Sequence, residues 1–333
     1  LRLQIAQHLV EYNRRNPGRR LLIVHYDDFN PFLDRFREKL SRRRKRRADR
    51  VLKEWRLWDH MDAILSLAVT GTIDRILGVK HPTDAVEAEF DEDLLEHLDR
   101  HQVRDLLLLA ACYDQSGSTS FRERWTALRT RWRFSTLHAR WPLVLGFAWS
   151  LTGLALVRGL AIAKPELLHP LWLYLLITAL GWAPWLWKCW RSFWCARRVL
   201  KQMRLSNRDR KSLRKVLLQF TWPELASQPL PDKDSTDDRY EMLMKLQSIL
   251  QTQGYQGIIV LVDRLDEPHL INGSADLMKA LLWPMLDNKF LKHPGLGLKV
   301  MAPIELTRFI EREGRDFYQR ARLDKQNMVS SFE

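Results

Sequence analysis

The chain has 333 residues, of which 46% are hydrophobic, and a net charge of +14. It can therefore bury a sizeable core, and its basic balance suits an anionic partner such as a nucleotide, a nucleic acid or a lipid surface. Three cysteines without zinc-binding spacing exclude a disulfide framework and a zinc module, which makes a reducing compartment the simplest expectation.

The chain opens on a predicted helix. Leu1, Ile5, Leu9 and Tyr12 fall on one helical face, a spacing typical of an amphipathic helix. No capping residue precedes the pattern and the first residue is not methionine, so we expect a fragment of a longer protein.

Carboxylates follow the first predicted strand. The apolar run from Leu21 to Val24 predicts a buried strand, and Asp27 and Asp28 come shortly after its end. A helix is expected from about Pro31.

Six consecutive basic residues, Arg42 to Arg47, end that helix. No aromatic residues interleave with them and no nucleic-acid-binding module surrounds them, which argues against nucleic acid as a partner. A solvated basic helix face is the preferred interpretation, and attraction to anionic lipid is the alternative.

Further helical regions are predicted over residues 51–78, 83–112 and 120–140. The first contains Asp59, His60 and Asp62, which could suggest a metal site. No second ligand cluster accompanies them, so we predict that they form a polar surface of the helix instead.

Two long apolar stretches, residues 142–163 and 167–187, predict a pair of membrane-spanning helices. Each has about the 20 residues that cross a bilayer, and Arg158 is the one Asp, Glu, Lys or Arg residue within them. Basic residues flank both outer ends, which the positive-inside rule places in the cytoplasm. We therefore expect an integral membrane protein in the bacterial inner membrane, with the lipid bilayer as a partner. The alternative is a buried helical hairpin in a soluble core.

Helical and loop signals alternate after this hairpin. Ser206 and Asp209 resemble a capping box that opens a helix, and residues 223–238 predict a loop. The next helix should end at Gly254, a natural C-cap.

Residues 258–268, Ile-Ile-Val-Leu-Val-Asp-Arg-Leu-Asp-Glu-Pro, are the most informative stretch. Five apolar residues predict a strand buried on both faces, and it stops at Asp263, Asp266 and Glu267. Ligands of open α/β sheets bind at this edge of the sheet. The pattern is typical of a Walker B segment, in which one carboxylate holds Mg²⁺ and another orients the attacking water. An ordinary strand ending in a solvated acidic turn is the alternative.

The end of the chain predicts a kinked helix after Ser274, a third strand over Leu296 to Met301, and a last helical segment rich in arginine. The arginines of that segment are Arg308, Arg312, Arg315, Arg320 and Arg322.

Three features make the chain resemble the KAP-type P-loop NTPases of the signal-transduction NTPase group. Residues 258–267 are similar to that group's Walker B strand. The strand ending in Asp27 and Asp28 is similar in position to the family's second strand, and membrane helices are inserted between the two. The resemblance implies an α/β fold with a P-loop NTPase-like parallel sheet flanked by helices and an inserted two-helix transmembrane hairpin.

The same resemblance implies a division of the chain. Residues 1–120 would form the first part of the NTPase domain. Residues 121–204 would form basic juxtamembrane helices and the hairpin. Residues 205–333 would form the second part, with the Walker B-like strand at 258–263.

The resemblance also implies roles for the acidic residues. Asp263 would hold Mg²⁺, Asp266 or Glu267 would polarise the hydrolytic water, and Asp27 or Asp28 would lie near the γ-phosphate. ATP is the expected nucleotide and a homo-oligomer is possible, with hydrolysis driving a conformational or assembly switch. One of four arginines would sense the γ-phosphate: Arg308, Arg315, Arg320 or Arg322.

The chain departs from the family in one main respect. It contains no Gly-x-x-x-x-Gly-Lys-Ser/Thr loop, so the resemblance places that loop before Leu1. Arg264 is a second departure, because relatives often carry an acid or a small residue there.

Two other functions remain open. One is a catalytically inactive membrane scaffold that keeps an NTPase-like fold. The other is a membrane-tethered protein that binds nucleic acid or lipid through Arg42 to Arg47, with the steep salt dependence of such binding.

Overall fold

The structure, a computed structural model, describes residues 1–41, 47–79, 85–116, 120–163, 171–206, 208–226, 228–231 and 233–323. Residues 42–46 of the basic run and the predicted hairpin link at 164–166 lie outside this part. The strands are β1 (Arg20–Tyr26), β2 (Val86–Glu87), β3 (Tyr255–Val262) and β4 (Leu296–Val300).

Helices make up most of the described chain. Those before β3 are α1 (Arg2–Arg15), α2 (Asn30–Lys39), α3 (Ala48–Lys53), α4 (Leu57–Ile76), α5 (Glu92–Glu96), α6 (Arg100–Tyr113), α7 (Phe121–Arg131), α8 (Leu137–Ala163), α9 (Leu171–Gln202), α10 (Arg210–Leu217), α11 (Trp222–Ala226) and α12 (Asp237–Thr252). Those after it are α13 (Ala275–Leu282), a 3₁₀ turn (Trp283–Leu286), α14 (Asn288–Leu291), α15 (Ile304–Glu311) and α16 (Arg315–Arg320).

The four strands form one sheet in the order β2–β1–β3–β4. β1, β3 and β4 are parallel, and Leu22 of β1 pairs with Ile258 of β3. Successive side chains of a strand face opposite sides of the sheet. Ile23 and Leu261 pack on Ala6 of α1, whereas α4 and α12 cover the other face.

The predicted fold class is wrong. β2 runs antiparallel to β1, so the sheet is a small mixed one within a largely helical chain rather than a P-loop NTPase-like parallel sheet with an inserted transmembrane hairpin. The sequence assigned residues 83–112 to helix because a two-residue strand is too short to show an alternating pattern. The division at residues 120 and 204 stays a prediction.

Helix α4 lies at the centre of the core, and its polar residues are buried. Asp59, His60 and Asp62 are at most 1% exposed, so the prediction that they form a polar surface is wrong. Near the other end, a Cβ on Gly71 would lie 2.4 Å from Cβ of Val86. Real Cβ atoms do not approach so closely, so glycine allows α4 to lie against β2.

Helices α8 and α9 pack side by side as a hairpin. The indole N–H of Trp182 donates to Oγ of Ser150 at 2.9 Å, and Gly181 lies directly against Trp149. The outer surface keeps many large apolar side chains exposed, including Leu137 and Leu151 at more than 70%.

The predicted membrane spans are wrong for the described residues. Within them, no helix has the combined length and apolar character needed to cross a bilayer. Residues 171–187 of the second stretch belong to the longer α9, which continues through basic residues and then buries Ala196 and Val199 in the core. The prediction of an integral protein of the bacterial inner membrane is therefore wrong as well.

Candidate functional site

The carboxyl ends of β1 and β3 bring two acidic residues together. Because these strands are parallel neighbours, Asp27 and Asp263 lie at the same edge of the sheet. Arg2, the first residue of α1, forms an ion pair with Asp27, and its Nε lies 3.7 Å from Oδ2 of Asp263. All three side chains are 18–28% exposed, so one guanidinium bridges two partly buried carboxylates.

Local geometry fixes Asp263 at this edge. Its Oδ1 accepts a hydrogen bond from the backbone N–H of Arg264 at 2.9 Å. Arg264 has a φ of +56°, in the left-handed region that residues other than glycine seldom adopt. The strand therefore turns sharply after Asp263, and the acid stays beside Arg2.

Helix α2 joins the two acidic loops. The backbone N–H of Asn30 donates to Oδ1 of Asp28 at 3.1 Å. The Oδ1 of Asn30 accepts from the backbone N–H of His269, in the loop that follows β3, at 3.1 Å. Nε2 of His269 lies 2.9 Å from Oδ1 of Asp34, so both loops are held by the first turns of α2.

The two residues predicted to orient water lie further out. Asp266 and Glu267 occupy the exposed turn after β3, and Glu267 pairs with Arg264 at 3.4 Å. Neither lines the cavity beside Asp27. Their catalytic role stays a prediction.

The arginines predicted to sense phosphate are all exposed. Arg308 lies on α15, Arg315 and Arg320 lie on α16, and Arg322 follows α16. Their role also stays a prediction.

A cavity of about 780 Å³ opens beside the acidic edge. Its wall combines apolar side chains with charged and polar ones, and the polar members that matter here are ten residues. These are Arg2, His25, Asp27, Asp28, Arg35, Ser66, Thr70, Arg75, Glu87 and Gln115. Sequence analysis found the two aspartates but not the cations, because no local pattern distinguishes Arg2 or Arg35 from other surface arginines.

The side chain of His25 also lines this cavity, and only one of its two ring nitrogens has a hydrogen-bond partner among the described residues. Its Nε2 lies 2.9 Å from Oε1 of Glu87 on the neighbouring strand. Its Nδ1 is buried and has no hydrogen-bond partner in the part of the chain that the structure describes. A carboxylate only accepts, so Nε2 carries a proton in this contact.

The acidic edge fits Mg²⁺ only together with a ligand. Across the described residues, no group of three or more His, Cys, Asp or Glu side chains could hold a metal by itself. Mg²⁺ commonly takes one or two carboxylates and completes its shell with water and phosphate oxygens. Asp27 and Asp263, which already share one cation, supply such a pair.

Buried ion pairs lie behind the site. Arg239 makes two contacts of 3.1 Å with Asp62, and Arg204 makes contacts of 2.7 and 3.0 Å with Asp59. Burial raises the pKa of Asp59 to about 7, against the opposing effect of Arg204. These pairs attach α4 to elements that lie far along the chain.

A buried hydrogen bond connects α4 to the acidic edge. The hydroxyl of Tyr26, the residue before Asp27, lies 3.1 Å from Nδ1 of His60. Nε2 of His60 lies 2.8 Å from the carbonyl oxygen of Leu281, which can only accept. His60 is therefore a neutral ring with its proton on Nε2, and burial lowers its pKa to about 4.

No protein-family model, curated protein or solved structure matches this chain.

Proposed function

We propose that the chain binds a nucleoside triphosphate together with Mg²⁺ at the acidic edge of β1 and β3 and hydrolyses it. The observation that carries this proposal is the position of Arg2 between Asp27 and Asp263. A cation already occupies the place where a metal–phosphate group would be held. The acidic residues that follow the apolar strand at 258–262, a pattern typical of a Walker B segment, support the same function, and ATP is the nucleotide we propose.

Each group at the edge has a proposed part in binding. Asp263 and Asp27 would hold Mg²⁺, which when bound neutralises phosphate charge and polarises the phosphoryl oxygens. Arg2 would exchange its carboxylate partners for a phosphate. Arg35, on the wall of the same cavity, would contact a second phosphate oxygen.

The proposed phosphate contacts come from these arginines, and residues 1–333 contain no glycine-rich phosphate loop. In such a loop, backbone N–H groups and a lysine surround the phosphates. Planar guanidinium groups bind phosphate through paired hydrogen bonds, so Arg2 and Arg35 offer this chain another way to bind the same anion.

Asp263→Asn tests the proposal. We expect the variant to lose Mg²⁺-dependent ATP affinity by about tenfold or more, because an amide is a much poorer ligand for Mg²⁺ than a carboxylate. Isothermal titration with ATP, with and without Mg²⁺, measures the change. Asp316→Asn, at an exposed position on α16, is the matched control and should bind like the wild type. Equal Mg²⁺-dependent binding by Asp263→Asn would refute the site.

Arg2→Met should separate metal binding from nucleotide binding. Removing the guanidinium frees Asp27 and Asp263, so Mn²⁺, used as a spectroscopic substitute for Mg²⁺, should bind more tightly in the absence of nucleotide. ATP should bind more weakly, because a phosphate contact is lost. Electron paramagnetic resonance of free Mn²⁺ and a nucleotide titration measure the two effects. If the affinities for Mn²⁺ and for ATP both rose or both fell, the proposed exchange of partners by Arg2 would be contradicted.

A catalytically inactive nucleotide-binding scaffold is the second candidate. It is favoured by the exposed positions of Asp266 and Glu267, and by the pairing of Glu267 with Arg264. This alternative expects Mg²⁺-dependent ATP binding without release of phosphate. A phosphate-release assay at saturating ATP separates the two.

A further inference from the structure

The residues that follow α9 are held by contacts from three directions. We call Met203–Ser206 the 203–206 segment. Nζ of Lys39, the last residue of α2, donates to the carbonyl oxygens of Met203 and Ser206 at 2.7 and 2.8 Å. Arg204 pairs with Asp59, and Gln115 donates to the carbonyl of Leu205 at 3.5 Å. This segment therefore fixes the base of the α8–α9 hairpin to the core.

Each of these contacts leads back to the candidate site. Lys39 is at one end of α2, and Asn30, which joins the two acidic loops, is at the other. Gln115 accepts a hydrogen bond from Arg35 of the cavity wall. Asp59 precedes His60 in the sequence, and the side chain of His60 is hydrogen-bonded to that of Tyr26.

Helix α2 is one short helix that packs on the core along its length. Its ten residues span about 15 Å, and Phe32, Leu33 and Phe36 anchor it in the core. Because packed helices shift as rigid bodies rather than deform, a displacement at Asn30 reaches Lys39.

We propose that α2 couples the acidic edge to the 203–206 segment, so that ligand binding at the edge changes how firmly the base of the hairpin is held. The ligand in this proposal is the nucleotide of the proposed function, so the proposal rests on that function. The contacts that α2 makes do not depend on the ligand. Coupling between two sites is reciprocal, so loosening the segment must also change ligand affinity.

Hydrogen exchange of the 203–206 amides tests the coupling in the full chain. The probe is ATP with Mg²⁺. In the wild type, the ligand should change the exchange rate at these amides several-fold. In Lys39→Met, which removes both carbonyl contacts, the ligand should leave that rate unchanged, and the dissociation constant for ATP should shift several-fold. Lys53→Met, at an exposed position on α3, is the matched control and should behave like the wild type.

A ligand-free variant separates the coupling from the proposed function. Asn30→Ala removes the contact with the His269 loop and should alter exchange at the 203–206 amides without any nucleotide. If the wild type binds no nucleotide but Asn30→Ala has this effect, the coupling stands and the proposed ligand is wrong. If ATP binds but neither ATP nor Asn30→Ala changes exchange at the segment, the coupling is overturned and the nucleotide site remains. If neither binding nor coupling is seen, both are overturned.

Discussion

Replacing Arg239 with methionine should lower the free energy of unfolding by about 3–5 kcal/mol. Arg239 is fully buried and its only carboxylate partner in the described part of the chain, Asp62, is 1% exposed. Methionine has a similar length but no charge, so the variant leaves a carboxylate in the core without its cation. Tyr113, which donates to the same carboxylate at 3.0 Å, cannot replace that charge. Urea denaturation followed by circular dichroism measures the loss.

Two further variants make this result specific. Arg47→Met breaks an exposed pair with Asp49 and should leave the free energy of unfolding nearly unchanged, because solvent screens such a pair. The double variant Arg239→Met with Asp62→Leu removes both charges and should regain much of the lost stability, because packed apolar residues can replace a buried pair. A double variant less stable than Arg239→Met would show that the charge left in Asp62 is not the cause.

Acidification should destabilise the wild-type chain more than it destabilises His60→Gln. Burial lowers the pKa of His60 to about 4, from an ordinary value of 6.5, so the folded state binds fewer protons than the unfolded state. The contribution of His60 is complete above pH 6.5 and is lost as the pH falls towards 4. Over this range the contribution of His60 to the free energy of unfolding falls by about 3 kcal/mol. Glutamine keeps a donor for Leu281 and an acceptor for Tyr26 but does not titrate.

Asp59 titrates in the opposite sense over the same range. Its pKa is raised to about 7 by burial, so its contribution is complete below its unfolded value of 3.8 and declines as the pH rises through 7. Other carboxylates titrate alike in each chain and cancel in the comparison. Unfolding free energies at intervals between pH 4 and 7.5 should therefore diverge: His60→Gln gains stability relative to the wild type on acidification, and Asp59→Asn loses it. Parallel curves for the three chains would rule out both shifts.

The sequence predicted the parallel strands well because their signals are local. The three apolar runs of the sequence each coincide with one of the strands β1, β3 and β4, and the carboxylates after β1 and β3 meet at one edge as parallel pairing requires. Gly254 ends α12 with a φ of +77°, as a C-cap glycine should. These features depend on residues within a few positions of one another.

What the sequence did not predict depends on distant partners. Asp59 and Asp62 look like surface residues until Arg204 and Arg239, well over a hundred positions later, are brought against them. The same holds for Arg2 and Arg35, whose place at the cavity follows from the packing of α1 and α2. The length of an apolar run was also misleading, because α9 continues beyond it into the core.

The pairing of β1 with β3 has a consequence for synthesis of the chain. Leu22 leaves the ribosome long before its partner Ile258. At roughly 5–20 residues per second, the interval is on the order of ten to fifty seconds. Throughout that time, the edge of β1 that pairs with β3 is unpaired and open to other nascent segments. Production of this protein should therefore depend on chaperones that bind extended apolar strands, and yields should improve at low temperature or with such chaperones in excess.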